Sequence, residues 1–123
     1  MQYAILCYHD EKVTCAWSKE QDDAVMAKLG GVMEKYAKAG KLGPVARLLP
    51  TTAATTLRKD REPALVIDGP FAETKEQLLS FYIVDCASLD EALEFARELG
   101  AVNPGGSYEI RPVGVFFPGV AAS

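Results

Sequence analysis

The stretch EQLLSFYIVD, residues 76–85, decides the fold, because both of its alternating faces are apolar. Leu79, Phe81 and Ile83 fall on one side of an extended chain, and Leu78, Tyr82 and Val84 on the other. A strand wetted on one face alternates apolar with polar residues, whereas this one needs cover on both. The opening segment QYAILCY (2–8) reads the same way, with Tyr3, Ile5 and Cys7 opposing Ala4, Leu6 and Tyr8. These two segments are expected as neighbouring, antiparallel strands at the centre of one sheet.

The helices lie outward from them. Ser18-Lys19-Glu20-Gln21 spells a capping box, in which the Ser hydroxyl accepts from the third helical N–H and Gln reaches back. Behind it Val25, Leu29, Val32, Met33 and Tyr36 recur at helical spacing, and Gly40 ends the run. Ser88-Leu89-Asp90-Glu91 spells a second box, before a helix with Leu89, Ala92, Leu93, Ala96 and Leu99 on one face and Gly100 at its end. KLGPVARLL is expected as a strand broken by Gly43-Pro44. TTLRK and PALVI flank DRE as a hairpin, and SYEIRPV alternates as a last strand with one polar face. Without the extra hairpin the order is βαββαβ, an α+β fold of ferredoxin-like type with both helices on one face of the sheet. The second apolar face then needs another cover. A second copy of the chain, packed sheet against sheet, is the economical one, so a homodimer is expected.

Composition bounds the rest. A chain of 123 residues fits one domain, 1–123, with the last few residues as a tail. A net charge of −4 with scattered basic residues argues against a nucleic-acid partner. The apolar runs are too short for a membrane span, and MQYAILCYHDEK lacks the basic start of a signal peptide, so a cytoplasmic chain with no membrane partner is expected. Cys7, Cys15 and Cys86 are odd in number and lack CxxC spacing, which predicts free thiols. Cys7, His9 and Cys15 have no fourth ligand spaced for zinc, so no metal is expected, and no other cofactor. A Gly-rich phosphate loop and a nucleophile elbow are both missing from the sequence.

Four segments, DGPFAETKE (68–76), YAILCYHDEK (3–12), TTAATTLR (51–58) and GSYEIRPV (106–113), together resemble the YCII-related superfamily, specifically its DGPF branch. The resemblance covers nearly the whole chain. It implies a dimeric α+β barrel built from ferredoxin-like subunits, and no single activity. Members of the branch are mostly uncharacterised, and some are associated with alternative sigma factors. One member of the wider superfamily resembles a ring-cleavage-pathway dehydrochlorinase thought to use a His–Asp pair. Val45-Ala46-Arg47 depart from the glycine-glutamate pattern common in DGPF relatives.

The ferredoxin-like topology brings the end of the first strand, at His9-Asp10, to the start of the strand at 77–85. The segment DGPFAETKE and residues 105–108 arrive at the same rim. His9 is the chain's single histidine, and an ordinary pKa of about 6.5 suits it to general-base work. Asp10, adjacent in a strand, points to the opposite face, so Asp68 is the candidate that orients the imidazole. Arg47, Lys75 and Arg111 are candidate anion-holding groups, and Tyr108 is a further substrate contact. A plainer account of the same residues also holds. Asp68-Gly69-Pro70 makes a turn, Phe71 anchors the core, and Glu73, Lys75 and Glu76 form a solvated face. Two functions fit. One is an enzyme performing acid–base chemistry, isomerisation or elimination, on a small organic molecule with His9 as base. The other is a non-catalytic dimeric ligand-binding or regulatory module, linked through the resemblance to sigma-factor-controlled transcription.

Overall fold

The computed structural model describes residues 1–120. Along the chain run β1 (Gln2–His9), α1 (Glu11–Thr14), α2 (Lys19–Lys38), β2 (Leu42–Arg47), a 3-10 turn (Thr51–Ala53), β3 (Thr55–Arg58), β4 (Leu65–Asp68), β5 (Gln77–Asp85), α3 (Leu89–Val102) and β6 (Ser107–Pro112). The four-stranded sheet has the order β2-β5-β1-β6 with every neighbour antiparallel, which is the ferredoxin-like arrangement. Its central pair is the one expected: β1 runs beside β5 from Gln2↔Asp85 to His9↔Gln77. On its other side β1 pairs with β6 from Tyr3↔Pro112 to Tyr8↔Ser107. The tail expected at the C-terminus is irregular from 113 to 120, and residues 121–123 lie outside the described residues.

One sheet face makes the core. Tyr3, Ile5 and Cys7 of β1, with Tyr82 and Val84 of β5, pack beneath Leu29 and Tyr36 of α2 and Ala92, Phe95, Ala96 and Leu99 of α3. The Phe95 and Tyr36 rings stack with centroids 3.7 Å apart. Burying a side chain such as Ile5 or Phe95 completely contributes about 1.5–3 kcal/mol. On the opposite face Ala4, Leu6, Tyr8, Phe81 and Ile83 are half-buried.

Strict alternation fails at one residue of β5. The register slips between Cys7 and Tyr8, so Cys7 faces Ser80, Tyr8 faces Leu78, and Leu79 is the extra residue of a β-bulge. Directly paired residues share a face, which moves Leu78 to the side of Tyr8 and Phe81. Leu79 instead turns with Ser80 toward α2.

The helix ends follow their sequence signals with two differences. At Ser18 both capping bonds form: Oγ accepts the Gln21 N–H at 3.1 Å, and the Ser18 N–H donates to Gln21 Oε1 at 3.1 Å. Gly40 follows the end of α2 with φ +72°, the left-handed conformation that stops a helix. At Ser88 only half of the box forms, because the Glu91 carboxylate lies 2.7 Å from Lys41 Nζ instead of returning to the cap. Helix α3 also runs past Gly100 to Val102, whose side chain still packs on the core.

The hairpin of β3 and β4 forms as expected, but as a two-stranded sheet of its own. None of its residues is buried, and Leu57 (60% exposed) pairs with Val66 (64%). Phe71 is not a core anchor. It is 73% exposed, with the Arg58 guanidinium 5.2 Å from its ring centre, because the segment carrying it leaves the hairpin outside the two-helix core.

Candidate functional site

Three segments converge on His9. The ring stands at the end of β1, and the connection from α3 to β6 lies across it. His9 Nε2 is 3.0 Å from the Pro104 carbonyl oxygen. A carbonyl only accepts, so Nε2 carries the proton in the neutral ring and Nδ1 keeps its lone pair. Nδ1 is buried and has no partner among the described residues. The Trp17 ring meets the imidazole edge-on, with centroids 6.0 Å apart. Gly105 and Gly106 have φ of +76° and +77°, and a Cβ on Gly105 would lie 2.7 Å from His9 Nε2. The strap therefore fits over the ring only where it has no side chains.

Beneath the strap lies a cavity of about 80 Å³. Trp17, Val25, Met26, Leu29 and Leu79 supply apolar wall, and the β5 bulge is what turns Leu79 into it. Arg47, the last residue of β2, donates to both carboxylate oxygens of Asp22 from the first turn of α2, at 3.2 and 3.0 Å. Tyr108 accepts a hydrogen bond from Asn103 Nδ2 at 2.9 Å, which leaves its own proton free for donation. Burial pushes the Tyr108 phenol above its usual range, so it stays a neutral donor. Cys7 also lines the cavity, and burial outweighs its Ser80 hydrogen bond to push its thiol up to about 11. A thiol so protonated is a poor nucleophile. Among the described residues no group of three or more His, Cys, Asp or Glu side chains could hold a metal ion.

The sequence model of the YCII-related domain matches residues 1–116, which include every residue of this cavity. The chain belongs to the YCII-related domain family. It is 65% identical over 120 residues to an uncharacterized protein of Rhizobium meliloti (strain 1021), a likeness covering 97% of each chain.

In this YCII-related chain, three of the expected site residues meet: His9, Arg47 and Tyr108 all line the cavity. Three do not. Asp68 ends β4 opposite Thr55, is exposed, and makes neither a hydrogen bond nor an ion pair with His9, so the expected His9–Asp68 pair does not form. The DGPF segment lines a separate cleft of about 390 Å³ with Lys12, Thr51, Thr74 and Gln77. Lys75 is exposed and lines neither space. Arg111 pairs with Ala4 on the face away from the helices, its Nε 3.5 Å from Glu109 Oε2.

The DGPF segment nevertheless braces the site from behind. Gln77 Nε2 donates to the Thr74 carbonyl at 2.6 Å, and Gln77 Oε1 accepts the Glu11 N–H at 2.9 Å. The Glu11 carboxylate in turn accepts from Thr51 N–H and Oγ1 at 2.7 and 2.8 Å. The connection that follows His9 is thus fixed on two sides.

The residues missed from sequence are Trp17, Asp22, Asn103 and Pro104. Trp17, the single tryptophan, stands just before a capping box, and that position was a usable signal. Asp22 reads as an ordinary first-turn acid of a helix. The Pro104 contribution is a backbone carbonyl, which has no sequence signature.

Proposed function

We propose that the His9 cavity is the active site of an enzyme performing acid–base chemistry, a proton abstraction leading to isomerisation or elimination, on a small organic molecule. The observation that supports it is the tautomer. Pro104 holds the proton on His9 Nε2, and the basic nitrogen, Nδ1, has no partner among the described residues. A neutral imidazole with an unpartnered lone pair, on a residue that lines an apolar cavity, is the kind of group proton abstraction from carbon requires. Tyr108, neutral and with its proton free, lines the same cavity and would donate to the oxygen where charge develops. Asp68 has no part in this step.

The test is proton washout. Small ketones and keto acids are incubated with the protein in D2O, and the signal of the proton next to the carbonyl is followed by NMR. His9→Ala is expected to slow washout by about 10²–10⁴-fold while the fold is retained. Equal washout by the wild type and the variant, or none by either, rejects the reading.

A second reading is a non-catalytic binding module acting as a homodimer. It is favoured by one observation, that His9 has no carboxylate partner among the described residues of the kind that orients the imidazole in a catalytic triad. Its link to sigma-factor-controlled transcription rests on the family resemblance alone. Absence of washout together with saturable ligand binding in the cavity would favour it.

A further inference from the structure

The cavity lining holds one carboxylate and one guanidinium, and they hold each other. Asp22 presents both oxygens to two nitrogens of Arg47, at 3.2 and 3.0 Å. This planar, two-pronged contact is the geometry by which a guanidinium receives a carboxylate from any source. The pair sits at the mouth, its side chains 54% and 31% exposed, where solvent weakens an ion pair and makes it exchangeable. Behind it the wall is apolar, formed by Trp17, Val25, Met26, Leu29 and Leu79. A charge at the mouth and an apolar interior describe a ligand with an acidic end and a hydrocarbon body.

We propose that Arg47 is the receptor for the carboxylate of a compact, apolar-bodied ligand, and that Asp22 is a built-in surrogate which that carboxylate displaces. The proposal rests on reading the His9 cavity as a small-molecule site and names the ligand class. The body is a short acyl chain or a single ring. The cavity itself is only about 80 Å³, and a second space of about 240 Å³ has Asn103, Gly105 and Tyr108 in common with it. A neutral alcohol would leave the Arg47 fork on Asp22. An amine would be repelled by the guanidinium it must approach.

Trp17, the only tryptophan of the chain and part of the cavity wall, reports occupancy by its fluorescence. The probes are benzoate, benzyl alcohol and benzylamine, which share one ring and differ in the head group. Benzoate is expected to change the emission saturably and to bind at least about tenfold tighter than the other two. Arg47→Gln should abolish that preference, and Arg47→Lys, which keeps the charge without the fork, should lose roughly half of it on a logarithmic scale. Asp22→Asn removes the competitor and should tighten benzoate by about three- to tenfold. Far-UV circular dichroism checks that each variant is folded.

Equal binding of benzoate and benzyl alcohol overturns the proposal, as does a saturable benzoate response unchanged in Arg47→Gln. Weaker benzoate binding in Asp22→Asn also overturns it, since Asp22 would then support the ligand instead of standing in for it. His9→Asn separates this proposal from the acid–base reading: benzoate affinity should stay within about threefold, because the imidazole handles a proton and not the carboxylate. Benzoate bound through Arg47 by a protein that gives no proton washout would reject the chemistry and leave the ligand class standing.

Discussion

A methyl group at Gly105 would sit 2.7 Å from His9 Nε2, and Gly105 already holds φ at +76°. Gly105→Ala therefore combines a strained backbone with a collision against the ring that defines the site. The expected cost is about 1–3 kcal/mol, read from urea unfolding, and the remaining folded protein should have lost proton washout because His9 must turn away. Gly31→Ala is the control, since its added Cβ meets nothing within 4 Å and a helix favours alanine. The cysteines give a second residue-scale prediction. Cys15 is exposed, whereas burial raises the thiols of Cys7 and Cys86 above their ordinary value. A disulfide-exchange reagent at pH 8 should find one fast thiol in the native chain and three in guanidinium. Three fast thiols in native buffer would contradict the packing of both β1 and the end of β5. The place of the lone histidine, at the strand end where the connections gather, was legible from the strand order. Its partner was not, because what holds His9 is the backbone oxygen of Pro104 and any residue brings one.

The elements carried their own signals to different depths. Apolar spacing marked α2, α3 and the four strands of the main sheet, and the capping serines placed both long helices to within a residue at their starts. The bulge at Leu79 left no trace in EQLLSFYIVD, because a run apolar on both faces looks the same before and after a one-residue slip. Helix α1 was illegible for another reason: four residues give no period to read. A tie between the two long helices predicts acid sensitivity. Glu98 of α3 is held by Lys35 at 2.5 Å and accepts from the Tyr36 hydroxyl, both of α2, and these bonds lower its pKa below the usual carboxylate value. The unfolded chain then binds the proton more readily in that range, so stability rises with pH. The contribution is complete above the unfolded value of about 4.3 and is lost as pH falls through the lower folded one. Glu98→Gln should lower the urea midpoint at pH 7 and approach the wild type as pH falls through the lowered folded value, whereas a gap that stays constant with pH would assign the loss to packing.

At the scale of the molecule, the apolar surface left over is the strongest unmet demand. The open sheet face presents Ala4, Leu6, Tyr8, Phe81 and Ile83, and the bulge adds Leu78 to them. Four strands of about seven residues each span a footprint of roughly 450 Å². A stable interface takes about 800 Å² from each partner, so a sheet-to-sheet dimer needs more surface than the sheet provides. The free-standing hairpin has the opposite problem. Two short strands are marginal alone in water, and these expose Leu57, Leu65, Val66 and Ile67. A dimer in which each hairpin lies against the other copy answers both. Light scattering is expected to give twice the 13.3 kDa chain mass at micromolar concentration, and Phe81→Glu should give a folded monomer. Leu57→Ser with Val66→Ser should leave the subunit folded but weaken the dimer by about tenfold or more, since two exposed apolar side chains lose their cover. A wild-type monomer would reject the sheet-to-sheet arrangement. A dimer whose hairpin amides exchange as fast as those of the Phe81→Glu monomer would keep the sheet interface and remove the hairpin from it.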